Sequence, residues 1–152
     1  MADHLRYPPL NFHFDVEFRH KDFKRDHKFQ SVDGLHAQLV KDEGQKNPHA
    51  VFDHIVLKRA FEPDSKLVGW CMDAINNKVF KAVTLTIKLL NSKHEVLSAW
   101  IVEKAIPVGW GVAELHAEES KILIETIELR YRYFQVVDSK GRIVAPKVKP
   151  KA

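Results

Sequence analysis

A strict alternation of apolar and polar residues over positions 10–18 constrains this chain more than any other feature. The apolar positions are Leu10, Phe12, Phe14, Val16 and Phe18, and polar or charged residues stand between them. A period of two predicts a β-strand with one buried and one exposed face. Residues 19–28, which are mostly charged or histidine, predict a solvated turn after this strand.

The same periodicity recurs along the chain. Further strands are predicted at 29–40, 54–58, 83–89, 96–106 and 122–137, the last being the longest. Asp33-Gly34 interrupts the first of these and predicts a bend, since glycine reaches positive φ without penalty. The short turn at residues 91–93 predicts an antiparallel hairpin. Residues 107–111 break the pattern.

One helix interrupts the strands. It is predicted to begin within residues 63–65, with Asp64 as its N-cap, and to end at Asn76-Asn77. Leu67 and Cys71 lie on one face at helical spacing, and Trp70 flanks them. We expect Trp70 to pack this helix against the sheet, and Cys71 to be a small buried side chain.

This order of elements predicts a mainly β protein with one α-helix, an antiparallel β-sandwich or barrel of six to seven strands. A chain of 152 residues has the size of one domain. We assign the domain to residues 1–137 and predict a basic, flexible tail over residues 138–152, which contain two prolines among lysine and arginine.

Composition excludes several classes of protein. The one cysteine rules out an internal disulfide framework and a cysteine-rich zinc site. No apolar run approaches the ~18 residues of a membrane helix, so we expect no membrane insertion of the free subunit. Residues 1–9 contain no apolar signal segment, which predicts synthesis in the cytoplasm.

The sequence contains no recognisable catalytic pattern. It lacks GxSxG, a P-loop, GxGxxG and HExxH, and its nine histidines are scattered. Glu118 and Glu119 are adjacent, so on a strand they would point to opposite faces. We therefore predict no enzyme activity, no cofactor and no metal site. The basic tail has no aromatic residues between its charges, which argues against specific nucleic-acid binding.

Several segments, in order, resemble one family. YPPLNFHFDV at 7–16 is similar to the first strand of tail tube proteins from contractile phage tails and from phage-tail-like extracellular contractile injection systems. FQSVDGL at 29–35 resembles that family's bend. Its remaining strands and helix are similar to four further parts of the chain, at 55–59 with 67–70, 84–91, 100–110 and 118–134. The resemblance covers about residues 7–136.

The resemblance implies a structural function without chemistry. Members of this family form hexameric rings, in which the sheets of neighbouring subunits join into a larger barrel. The rings stack into the inner tube of a phage tail or injection particle. The implied partners are further copies of the chain, adjacent rings, the baseplate hub, sheath proteins and cargo in the lumen. The alternative from residues alone is a small β-barrel that binds a ligand or nucleic acid.

The segment over residues 41–53 departs from the family pattern. Tube-body members usually carry a longer loop here, with several glycines and a Leu-Pro turn, which contacts the next ring. The resemblance therefore leaves two roles open, tube body and tube-initiating ring on the baseplate hub. The groups available for ring contacts are Lys41, Glu43, Lys46 and His49, while Gly34 and Trp70 are predicted structural positions.

Overall fold

The computed structural model describes residues 13–148. The strands and the helix are β1 (Phe14–Phe18), β2 (Ser31–Asp33), β3 (Ala37–Val40), β4 (His49–Phe52), β5 (Ile55–Ala60), α1 (Lys66–Asn77), β6 (Val83–Leu90), β7 (Val96–Val112), β8 (Ile124–Arg130) and β9 (Tyr133–Val137). A 3-10 helix spans Lys21–Phe23. Positions 10–12 of the first predicted strand lie outside the described residues.

Seven strands form one antiparallel sheet in the order β1-β6-β7-β8-β5-β2, with β9 paired to β7. The predicted fold class, mainly β with a single helix and six to seven sheet strands, is confirmed. Within the part of the chain that the structure describes, strands β3 and β4 pair only with each other and form a separate hairpin.

The long strand β7 divides this sheet into two parts. Its first half pairs with β6 on one side and with β9 on the other, whereas from Ile106 onward it pairs with β8. Lys104, with φ of +59°, lies between the two halves, where the register with β6 shifts. We call β1, β6, the first half of β7 and β9 sheet A, and the second half of β7 with β8, β5 and β2 sheet B.

The core lies between these sheets and one face of α1. Leu67, Trp70, Cys71 and Ala74 are the buried residues of the helix. Trp70 packs against Phe18 and Phe23, with ring centroids 6.1 and 5.6 Å apart, and its Nε1–H donates to the carbonyl of Lys81 at 2.7 Å. Sheet residues supply the rest of the core, among them Val16, Ile55, Leu57, Leu85, Ile87, Val102, Ile127 and Leu129.

Ser65, rather than Asp64, is the N-cap of α1, so that prediction was wrong. The Oγ of Ser65 accepts the N–H of Leu67 at 3.1 Å, which satisfies a donor at the start of the helix. The helix ends at Asn77, as predicted, and Lys78 follows in the left-handed conformation. Asp and Ser are both favoured at the N-cap, so residue type alone does not distinguish Asp64 from its neighbour Ser65.

Three strand and turn predictions need correction. Strand β7 continues through residues 107–111, because a bulge near Pro107 accommodates the proline. The predicted strand over 122–137 is divided into β8 and β9, which pair with different halves of β7. The turn over residues 19–28 is not wholly solvated, since Phe23 and Asp26 are buried within it.

Candidate assembly interfaces

The β3–β4 hairpin is largely exposed to solvent. Ala37 pairs with Phe52 and Val40 with His49, and the connecting residues 41–48 are all exposed. The side chain of Leu39 is 71% exposed although it is aliphatic. An isolated two-stranded hairpin is marginally stable in water, so this one depends on contacts at its base.

The residues predicted to make ring contacts cluster at this hairpin. Lys41, Glu43 and Lys46 lie in the loop, and His49 opens β4; all four are exposed. His49 Nε2 is 3.9 Å from a carboxylate oxygen of Asp42. The structure thus brings these four positions together in one hairpin, and their role in ring contacts remains a prediction.

Gly34 lies at the base of the hairpin, where the chain leaves β2. Its φ is +97°, and a Cβ at this position would stand 1.9 Å from the carbonyl oxygen of His54. The backbone at residue 34 and the backbone at His54 therefore pass so closely that only glycine fits. The predicted bend at Asp33-Gly34 is present in the structure. Trp70 lies in the helix core, apart from the hairpin.

Aromatic packing fixes the other side of the base. The ring of Phe52 contacts those of Phe134 and Tyr131, with centroids 5.0 and 6.0 Å apart. The Oη–H of Tyr131 donates to the carbonyl of Asp53 at 2.6 Å. Burial, followed by the nearby charge of Asp53, raises the pKa of Tyr131 to about 12, so this hydroxyl keeps its proton and continues to donate.

Two histidine–carboxylate pairs flank the same base. His36 Nδ1 lies 3.1 Å from Asp53, and His54 Nδ1 lies 2.6 Å from Glu128 on β8. Both pairs are substantially exposed, so each contributes little to stability. Their effect is to tie the two ends of the hairpin to each other and to sheet B.

Sheet B has two open edges among the described residues. The second half of β7 pairs only with β8, and β2 pairs only with β5. The N–H of Ala113 donates to the carbonyl of Ile124. Because successive N–H groups of a strand alternate between its edges, the N–H of Val112 points away from β8. Such edges can pair with strands of another chain.

Sequence reasoning missed a buried polar cluster between β5, β8 and the turn after β1. Arg59 donates to Glu125 at 2.6 Å and to Asp26 at 2.7 Å. Trp110 Nε1–H donates to the second oxygen of Glu125 at 2.6 Å. Burial opposes the charge of Arg59, but the hydrogen bonds to Asp26 and Glu125 outweigh it and raise its pKa.

A signal for part of this cluster was present in the sequence. Arg59 and Glu125 lie on the same faces of their strands as the buried residues do, and they are direct cross-strand partners. Opposite charges at inward positions of two strands indicate a buried ion pair. Asp26 could not be found in this way, because it lies in a turn without periodicity.

The one cysteine and the metal-binding potential of the described residues can be assessed directly. Burial raises the pKa of Cys71 to about 12, so its thiol stays protonated and is a poor nucleophile. Residues 13–148 contain no group of three or more His, Cys, Asp or Glu side chains able to hold a metal ion. Over that same range, no helix is long and apolar enough to cross a membrane.

The family of this chain follows from comparison with known proteins. The model of the T4-like virus tail tube protein gp19 family matches residues 10–135. The chain belongs to this family. The resemblance found in the sequence is thereby confirmed, and the family is one of structural tube proteins. None of the curated proteins matches the chain.

Solved structures agree on the fold. A chain of the anti-feeding prophage baseplate, in a six-fold symmetrised structure, has a TM-score of 0.71 at 22% identity and covers 88% of this chain and 98% of its own. A chain of the PVC sheath-tube complex, from an extracellular contractile injection system, has a TM-score of 0.71 at 21% identity, covering 88% and 94%.

Another solved structure shares the fold more distantly. Hcp1 from Flavobacterium johnsoniae has a TM-score of 0.57 at 13% identity and covers 86% of this chain and 97% of its own. These likenesses show the fold, while the family model identifies the chain as a member of a tail tube protein family. The alternative of a ligand- or nucleic-acid-binding barrel is not favoured.

Proposed function

We propose that this chain is a non-catalytic structural subunit that forms hexameric rings, and that these rings contribute to the inner tube of a contractile injection particle. The observation that carries the proposal is the pair of open edges of sheet B. An antiparallel sheet with a free strand on each side can join the next copy on both sides. Such head-to-tail joining closes into a ring when the rotation per subunit fits.

The two faces of sheet B suit this role. Its inward face carries buried side chains such as Leu57 and Ile127. Its opposite face carries Lys58, Thr126 and Arg130, which are exposed or half-buried. In a ring made from joined copies of sheet B, these outward faces would form one continuous surface. We assign that face to the lumen, where cargo would pass.

The β3–β4 hairpin is the element best placed for contacts between rings. It projects from the sheet, and its loop carries charged side chains, with the exposed Leu39 of β3 as the nearby apolar anchor. Such a loop can dock on an adjacent ring or on the baseplate hub. Both the tube body and the tube-initiating ring need this contact, so the two roles differ in which protein the hairpin meets. Sheath proteins would contact the outside of the tube.

Electron microscopy and sedimentation of the purified chain test the proposal. We expect rings or short tubes, with or without the other particle proteins as a template. Val112→Pro removes an edge N–H that points away from β8, so it should abolish rings while leaving a folded monomer. Val112→Thr keeps the N–H and the branched shape, and it should still form rings.

A compact monomer under every condition, including the presence of the other particle proteins, would contradict the proposed function. Normal rings from folded Val112→Pro would instead contradict only the assignment of this edge. Thermal melts of both variants show whether each monomer is folded before its assembly is measured.

A further inference from the structure

The edges of sheet A differ from those of sheet B because the chain itself covers them. His27 lies along the outer edge of β1, where its carbonyl accepts the N–H of Val16 at 3.2 Å. The outer edge of β9 receives the segment after residue 138. Both edges of sheet A are therefore occupied from within the chain, whereas both edges of sheet B are open among the described residues.

A tight turn folds the chain back onto β9. The Oδ1 of Asp138 accepts the N–H groups of Lys140 and Arg142, each at 2.9 Å. Gly141 has φ of +80°, and the N–H of Asp138 donates to the carbonyl of Arg142 at 2.8 Å. These bonds set the direction of the segment that follows.

The returning segment then pairs with β9. Ile143 forms a bridge with Val137, and the N–H of Val144 donates to the carbonyl of Val136 at 2.8 Å. Farther along, the N–H of Lys147 donates to the side-chain oxygen of Gln135 at 3.0 Å. The ammonium of Lys147 lies 4.0 Å from the centre of the Tyr133 ring.

The composition of this segment disfavours pairing with a further strand. Pro146 has no N–H to offer, and Ala145 has φ of +46°, so the regular ladder ends there. Lysine and proline on an edge are common means by which proteins prevent pairing with other chains. The segment also lies beyond residue 135, where the match to the tail tube family ends.

We propose that residues 138–148, the edge cover, block strand pairing at β9 and thereby restrict lateral assembly to sheet B. The partner that the covered edge would otherwise accept is a strand of a second copy of this chain. The link to ring formation rests on the proposed function, whereas the blocking of β9 is independent of it. An uncovered β9 would present a row of free backbone groups in a half-buried, partly aromatic strand.

Two truncations test the edge cover. A chain ending at Val137 uncovers β9, whereas a chain ending at Val148 removes only residues 149–152, beyond the paired segment. We expect the shorter chain to associate irregularly, with light scattering rising about tenfold faster than for the full chain at equal concentration. The chain ending at Val148 should behave as the full chain does, because its β9 stays covered.

A point variant provides a second test if the shorter chain fails to fold. Val144→Pro removes the N–H that donates to Val136 but retains the rest of the chain, and Val148→Pro is its control in an 86% exposed position. Amide exchange in β9 and irregular association should both increase for Val144→Pro alone.

The outcomes separate this inference from the proposed function. Equal association of the two truncated chains, or of the two proline variants when the shorter chain does not fold, would overturn the edge cover even if rings form normally. If the full chain never forms rings but the uncovered chains still associate irregularly, the edge cover stands and the ring proposal fails.

Discussion

Gly34 determines where the hairpin leaves the sheet. Its φ of +97° is accessible to glycine at little cost, and the carbonyl of His54 occupies the space that a Cβ would need. Both a backbone conformation and a close approach therefore depend on this residue. Gly44, in the hairpin loop, shares the positive φ of +87° but has open space around it.

Replacement by alanine separates these two effects. Gly34→Ala combines a left-handed conformation with a clash against backbone, so we expect it to reduce the free energy of unfolding by about 2–4 kcal/mol. Gly44→Ala carries only the conformational cost, about 1–2 kcal/mol. Denaturant unfolding of both variants measures the difference. Equal losses would show that the backbone near His54 moves away without cost.

Residues at regular strand positions were the most predictable, because alternation alone assigns their faces. Arg59 and Glu125 obey that alternation, yet their pairing depends on which strands are neighbours, and one sequence does not determine strand order. Asp26 completes the cluster from a turn, and its hydrogen bond to Arg59 arises only from the packing of that turn on the sheet.

At the scale of elements, the structure differs from the sequence prediction where strands bend. Strand β7 changes partners near Lys104, and β8 and β9 separate at the matching place. The apolar pattern does not show the bend in β7 or the break between β8 and β9. Both depend on which strands pair with each other, and strand pairing is not encoded in the alternation of one strand. Of the β3–β4 hairpin, the sequence predicts β3 as the end of the strand at 29–40 but β4 only as loop, since these exposed strands lack a buried face.

Charge reversal in the hairpin tests its role as an element. The double variant Lys41→Glu/Lys46→Glu should still form rings, because neither residue lies in sheet B. The stacking of these rings on each other should weaken. Exposed charge pairs contribute about 0–1 kcal/mol each, and the repetition of the contact around a ring multiplies the effect. Tube length in electron micrographs and the fraction of single rings report the change.

The matched control changes the same charge elsewhere. Lys81 and Lys93 are exposed and lie outside the hairpin, so their reversal to glutamate should leave tube length unchanged. Shortening of tubes by both pairs of substitutions would indicate a general effect of net charge. Unchanged stacking in the hairpin variant would remove residues 41 and 46 from the ring contact.

At the scale of the whole molecule, the two sheets differ in whether their edges are free to pair with another chain. Sheet A is closed by residues of the same chain, and the hairpin projects from its base beside sheet B. Within residues 13–148, sheet B is open at two edges. One subunit can therefore make lateral contacts through one sheet and axial contacts through one hairpin. Neither kind of contact decides how many rings a particle contains.

The number of copies per particle distinguishes the two roles that remain. A tube-initiating ring meets the hub on one side and a different tube protein on the other, so each particle should contain one ring of this chain. A tube-body subunit stacks on itself, so its copies should greatly outnumber those of hub proteins. Because the hairpin loop is short and carries few apolar anchors, we expect the initiating role, in which the hairpin meets a specialised partner. Quantitative mass spectrometry of intact particles measures this ratio, and many rings per particle would establish the tube body instead.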